Sequence, residues 1–275
     1  MFAYYTREWE SLAPRIVDRW CPSFSGNTGL QLPSTTGKTH GVLTNFTNNG
    51  NDAYVTSPDK IALNTDGTND YVIAGIREPI TSQYTISIWV WRNGIVNFRN
   101  VFNKGSGNSD DIEVYIAGST NSMIVYHNRG NGGSAAAVAI PVFPNQTWTH
   151  VFITYDVSRP ATFTQDGRWQ VWYNGIQQST GSASVGAHSA PLNTQSKIQI
   201  GGSENTAFGS TRFWLGQLDD LILANTAFTG ADARFIYEQG RGGGLLMQPP
   251  LRRSYFVPAL PSPRRRSSRA LAFPG

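Results

Sequence analysis

The sequence predicts an all-β protein: an antiparallel jelly-roll β-sandwich with one short helix and an extended C-terminal arm. Three observations carry this. Charged residues make up only 15% of the chain and aromatics 12%, with 28 glycines, and long runs of Ala, Leu, Glu and Lys are missing. Short alternating apolar and polar runs are separated by clusters of Gly, Asn, Asp and Ser, at the mean spacing of roughly a dozen strands. A single helix-start signal stands near the end of this region. No internal repeat is visible, which argues against a propeller or solenoid. The chain of 275 residues has ample material for a core.

Taken in order, residues 1–20 predict a short amphipathic helix around Trp9, Leu12, Ile16 and Val17, interrupted at Pro14, which reads as packed onto the main domain in preference to a docking arm. From Trp20 onward the strand pattern begins. Tyr84–Trp91 places Ile86, Ile88 and Val90 on one face and Thr85, Ser87, Trp89 and Trp91 on the other. Trp148–Tyr155 alternates in the same way. Trp169–Tyr173, Asn174-Gly175 and Ile176–Thr180 form the strongest hairpin signal, because Asn-Gly supplies the two positive-φ residues of a type I′ turn. Lys197–Ile200 and Gln217–Ala224 read as further strands. Thr229 can cap a helix, with Asp232 three residues on, and Gly240 is expected to end it. The expected organisation is an N-terminal segment 1–20, a sandwich 21–240 and an arm 241–275, with Gly242-Gly243-Gly244 as hinge.

Charge divides the chain at the arm. Residues 241–275 hold seven of the 22 Lys and Arg and none of the 18 acids, so residues 1–240 carry a net −3 and the arm +7. The arm interleaves arginine with Leu, Tyr, Phe and Pro in no regular period, so it cannot bury enough of itself to fold alone. Arg252, Arg253, Tyr255, Phe256, Arg264, Arg265 and Arg266 are its expected contact residues. Extended proline-rich segments lose little entropy on docking and arginine pairs bidentately with carboxylates, which favours a protein partner or a sister subunit over nucleic acid. No apolar stretch approaches the roughly 20 residues that span a bilayer. The start, MFAYYTREWESL, has acids and an arginine where a signal peptide has its apolar core, so the chain is expected to be made and kept in a cytoplasm or to leave it by other means, such as inside a virion. Cys21 is alone, so no internal disulfide forms.

Five segments, in order, resemble those of laminin-G-like, concanavalin A-like jelly rolls. Ala62-Leu63-Asn64-Thr65-Asp66-Gly67-Thr68-Asn69-Asp70-Tyr71-Val72 is similar to their opening strand, "aLxFDGxxDYV". Tyr84–Trp91 resembles "fTIsaWV", and Trp148–Asp156 resembles "WhHVAvTYD". Val171-Trp172-Tyr173-Asn174-Gly175 resembles "lYvNG", and Ile200-Gly201-Gly202 with Phe213–Leu223 and the Thr229 helix resembles the closing segments. Trp20-Cys21-Pro22-Ser23 and His40–Asn45 are similar to the opening of such proteins in phages, which often end in arginine-rich tails. The resemblance therefore implies a non-enzymatic virion structural protein: a capsid decoration or cement protein, or a head-fibre or tail component, anchored through its arm to capsid or other virion proteins. The alternative it implies is a carbohydrate-binding lectin or adhesin that touches host-surface glycans.

Candidate chemistry divides along the same lines. Glycoside cleavage needs two carboxylates facing each other across a sugar. The Glu-x-Asp-x-x-Glu pattern that glucanases of this fold use is absent; the nearest run, Asp110-Asp111-Ile112-Glu113, would put Asp111 and Glu113 on one strand face, and reads as a solvated strand start. Cys21, His40, His127, His150 and His188 show no nucleophile motif, and His150 reads as structural. The resemblance implies a structural calcium at a loop edge, with Asp66 and Asp219 as its acids; the competing reading is an Asx turn at Asp66 and pairing within the sheet at Asp219. For glycans, Trp89, Trp91 and Trp172 are the candidate stacking platforms, with Trp214 beside them, against the alternative that they are core.

Overall fold

In a computed structural model of the full chain, the described residues are 11–22, 31–32, 34, 40–46, 53–57, 60–77, 80, 82–94, 99–106, 109–117, 121–129, 136–140, 142–162, 164–185, 196–203 and 212–241. The arm residues from Arg252 to Arg266, and His188, lie outside them.

The strands among the described residues are β1 (Ile16–Trp20), β2 (Gln31–Leu32), β3 (Gly41–Thr44), β4 (Tyr54–Ser57), β5 (Lys60–Asp66), β6 (Tyr71–Arg77), β7 (Gln83–Arg92), β8 (Arg99–Ser106) and β9 (Ser109–Ala117). They continue with β10 (Ser122–Arg129), β11 (Ala136–Ile140), β12 (Thr149–Asp156), β13 (Trp169–Tyr173), β14 (Ile176–Gln177), β15 (Gly181–Val185), β16 (Ser196–Ile200) and β17 (Leu215–Ala224), followed by helix α1 (Gly230–Arg241). Two antiparallel sheets form. One runs β14-β13-β12-β7-β17-β5-β4, with β1 also on β17; the other runs β15-β11-β10-β9-β8-β16-β6-β3-β2. This is the antiparallel sandwich with one short helix that the sequence predicts.

The core lies between the sheets. Ile86, Ile88 and Val90 of β7, Val151 and Ile153 of β12, and Leu218, Leu221 and Leu223 of β17 meet Ile112, Val114, Ile116, Met123, Val125, Ile198 and Ile200 of the other sheet. These sets follow the period of two that puts alternate side chains on one face, except in β17, where a register shift between Asp219 and Ile222 sets Leu221 three residues after Leu218. Asn174 (φ 49°) and Gly175 (φ 75°) make the β13–β14 turn.

Two predicted elements differ. Ile16–Trp20 is a strand, not a helical turn: Ile16 stands opposite Ala224 and Trp20 opposite Leu221. Ser11 and Leu12 are α-helical, as predicted, and a 3₁₀ turn at Ala13–Arg15, containing Pro14, leads from them into the strand; Trp9 lies outside the described residues. Pairing with β17 then satisfies the backbone and buries Trp20 completely, a tertiary gain that outweighs a weak local period. Helix α1 starts at the predicted box. Asp232 N donates to Thr229 Oγ1 at 3.2 Å and Thr229 N to Asp232 Oδ2 at 2.7 Å. It runs through Gly240 rather than stopping there. Gly240 is glycine for packing: a Cβ there would sit 2.4 Å from the Trp89 indole nitrogen.

Candidate ligand-binding face

Helix α1 decides which sheet face is available. It lies across the outer face of the β7–β12–β13 sheet, packing Ala233 and Ile236 with Phe152, Trp172, Ile222 and Phe228. Trp89 stacks on Tyr237 of the helix with centroids 5.6 Å apart. A Cβ at Gly230 would lie 3.2 Å from the Trp172 indole nitrogen. Trp89 and Trp172 are each 4% exposed. The expected stacking platforms are therefore the seat of the helix, and cannot present a flat face to a sugar. Trp91, on the same face, is half-buried, and Trp214 is a core residue.

The same helix covers His150. Its Nε2 lies 2.8 Å from Ser87 Oγ, and its backbone N donates to Asn174 Oδ1 at 2.8 Å. A serine–histidine contact is present, but both residues are buried under α1, which suits a structural role. His127 sits inside the sandwich, 2.8 Å from the Tyr84 hydroxyl, and the burial of Tyr84 pushes its hydroxyl pKa well up. Cys21 is buried and its Sγ lies 3.7 Å from Asp219 Oδ1.

The two acids expected at a calcium site are not brought together. Asp66 Oδ1 accepts from Thr68 N at 2.7 Å and Asn69 N at 3.3 Å, an Asx turn. The cation beside it is Arg99, whose Nη1 donates to the Gly67 carbonyl and, at 2.8 Å, to the Phe213 carbonyl. Asp219 is four residues past Leu215, which pairs with Asp66, so the acids stand roughly 13 Å apart along the strand. Its neighbour Asp220, at φ 49°, holds Arg19 at 2.5 Å. Among the described residues no group of three His, Cys, Asp or Glu is placed to hold a metal. The donor set does not fit calcium, since guanidinium groups already stand beside both acidic positions.

Asp111 and Glu113 also depart from expectation. A register shift in β8 between Lys104 and Gly105 makes Asp111 the extra residue. Its Oδ2 accepts from Lys104 Nζ at 2.7 Å, and that same Nζ donates to Ser196 Oγ at 2.8 Å on the core side. Glu113 points the other way and accepts from Arg212 Nη1 at 2.9 Å. Both acids are buried in ion pairs, not solvated, and do not face each other across a cleft.

The outer face of the second sheet carries the polar chemistry. The register sets Tyr126, Glu113, Asn103, Gln199, Ile73 and Val42 in one row across six strands. A second row holds Ile124, Tyr115 and Asn100. Tyr115 and Tyr126 stack with centroids 6.0 Å apart. Arg212 lies over the Tyr115 ring at 5.7 Å, and Asn103 Nδ2 donates to Ser203 Oγ at 3.1 Å. Glu113, Asn103 and Asn100 are fully buried and Tyr115 is 4% exposed, while Tyr126 is half-buried. Neither side-chain amide atom of Asn100 has a hydrogen-bond partner, although its backbone N donates to the Arg212 carbonyl at 3.1 Å. A buried amide with neither bond made costs several kcal/mol in an apolar setting, of order 1–3 by mutational measures. Sequence reading missed Asn100, Asn103, Tyr115, Tyr126, Gln199 and Arg212. The available signal was a strand, Asp111–Ala117, whose second face is polar and aromatic rather than merely polar.

Two antiparallel sheets packed as a sandwich with one short helix are consistent with a concanavalin A-like jelly roll. The chain belongs to the concanavalin A-like lectin/glucanases superfamily, whose Laminin_G_3 family model matches residues 49–234. Similar solved structures include domain 4 of an extracellular arabinanase from Geobacillus stearothermophilus in complex with arabinotriose, at 18% identity and TM-score 0.56, covering 80% of this chain and 97% of that one. Trypanosoma rangeli sialidase is 12% identical with TM-score 0.56, over 88% of this chain and 39% of the sialidase. The receptor binding domain of botulinum neurotoxin D is 11% identical with TM-score 0.54, over 82% of this chain and 53% of that domain. This chain thus spans about a third of the length of the sialidase chains it matches. At these identities the likeness shows the fold. A comparison with curated protein sequences finds no match.

Proposed function

We propose that this chain is a carbohydrate-binding module without catalytic activity, and that it holds its ligand on the outer face of the nine-stranded sheet. The unfilled amide of Asn100, beside the Glu113–Arg212 pair and the stacked tyrosines, carries this reading. Adjacent sugar hydroxyls offer one donor and one acceptor, the set an amide needs, and the C–H face of a pyranose suits the ring of Tyr126, which is half-buried where Tyr115 is 4% exposed. The arabinanase domain, solved with arabinotriose, supports the class. A binding role suits the carboxylates better than hydrolysis, because Asp111 and Glu113 are neutralised on opposite faces.

The experiment is a glycan array with the full chain, repeated with Asn100→Leu. Replacing an unpaired buried amide by an apolar side chain of similar size is expected to leave the melting temperature unchanged or raise it. Saturable binding that falls at least ~10-fold, about 1.4 kcal/mol, in the variant supports the reading. Equal binding by both proteins contradicts it.

The charge of residues 241–275 favours a second role, attachment through the arm to acidic surfaces of virion proteins or sister subunits. Removing residues 242–275 is then expected to abolish incorporation into particles and leave the sandwich folded. Normal incorporation of the shortened chain contradicts that role.

A further inference from the structure

Arg92 ends β7 on its core side and is 3% exposed. Its guanidinium has no carboxylate at ion-pair distance among the described residues. Its contacts are long and to neutral acceptors: Nη1 to Asn121 Oδ1 and Nη2 to the Phe143 carbonyl, each 3.3 Å. Nε is buried without a partner. A buried cation held only by neutral acceptors and a ring face, with no carboxylate, is a costly arrangement.

Two more donors without partners lie around the same ring. The Phe143 ring is 5.8 Å from the Arg92 guanidinium carbon, 5.6 Å from the Tyr173 ring and 6.5 Å from the Trp214 ring. The Tyr173 hydroxyl and the Trp214 indole N–H are both buried and unpartnered. A guanidinium, a phenol and an indole are all donors, and none can satisfy another as acceptor except the phenol oxygen. What completes the set is an anionic acceptor, and a planar carboxylate matches the guanidinium. Val142, next to Phe143, is 70% exposed and sits at φ 38°, a left-handed conformation that a β-branched residue rarely adopts.

We propose that Arg92, the Tyr173 hydroxyl and the Trp214 indole form a receptor for the carboxylate of a sugar acid, which the Phe143 ring fills until ligand displaces it. The ligand class rests on the carbohydrate reading above; the pocket is separate from the Asn100 face.

The test follows the Trp214 indole N–H resonance of the full chain during titration with glucuronate and, separately, glucose, which differ only in the carboxylate. Wild type, Phe143→Ala and Arg92→Gln are compared, with the other indole resonances reporting that each is folded. The expected result is a saturable shift with glucuronate and none with glucose, at least ~10-fold tighter in Phe143→Ala and lost in Arg92→Gln. An equal response to both sugars, or a still Trp214 resonance in both wild type and Phe143→Ala, overturns the proposal. Glycan binding that depends on Asn100 while Trp214 stays still overturns this receptor and leaves the carbohydrate reading standing.

Discussion

Gly240→Ala separates a helix that is merely attached from one that is seated on Trp89. In a free helix the change stabilises, because alanine exceeds glycine by about 1 kcal/mol in helix propensity. Here the new methyl would lie 2.4 Å from Nε1, 2.9 Å from Cε2 and 3.0 Å from Cζ2 of Trp89. Comfortable contact needs roughly 3.5 Å or more, so the helix or the indole must yield by about 1 Å. The indole has little room, since Trp89 is 4% exposed and lies 5.1 Å from the His150 ring and 5.6 Å from the Tyr237 ring. Overpacking of this kind costs about 1–3 kcal/mol. Gly240 is the penultimate residue of the helix, where the propensity gain is smallest. The net expectation is a loss of about 1–2 kcal/mol. Urea unfolding of the purified chain should show a lower midpoint at unchanged slope, and the melting temperature should fall by roughly 2–8 °C. A variant as stable as wild type, or more so, would refute the seating of α1 on Trp89. It would reopen that tryptophan as a stacking platform.

Other expectations are more local. Lys104→Met should leave the Asp111 carboxylate buried without its cation and cost about 3–5 kcal/mol, and adding Asp111→Leu should recover most of it; urea unfolding checks both, and a single variant within about 0.5 kcal/mol of wild type would contradict the ion pair. Burial pushes the Tyr54 hydroxyl up to about 12 from the ordinary 10.0. The unfolded tyrosine therefore ionises first, so its share of stability is intact below pH 10 and lost as pH rises toward 12. Tyr84, Tyr155 and Tyr173 shift in the same direction, again through burial. Tyr54→Phe should make the alkaline decline in melting temperature shallower without abolishing it, and an unchanged slope would contradict the Tyr54 contribution.

Much of the fold was legible because its signals are local. Asn174-Gly175 marks its turn through two positive-φ residues, and Thr229 with Asp232 marks the start of α1 through a reciprocal bond pair. Ile16–Trp20 was misread because a five-residue run satisfies either period, and its partner strand lies 200 residues away in the chain. The ligand face was hidden for the same reason. Alternation places Glu113 and Tyr115 on one side of β9, but burial of that side comes from Arg212, 99 residues on. Trp89 and Trp172 share the stacking face that alternation predicts, yet whether a helix covers that face is a tertiary fact. Gly240 reads as a helix stop in sequence and proves to be a clearance for an indole.

The most direct measurement locates the ligand. The best-bound glycan from the array would be titrated into protein carrying fluorinated tyrosine, with each resonance assigned by substitution. Tyr115 and Tyr126 on the nine-stranded sheet should respond, and Tyr237 on α1 should not. A response at Tyr237 with Tyr115 and Tyr126 silent would place the ligand on the helix-bearing side and rule out the nine-stranded sheet as the binding face.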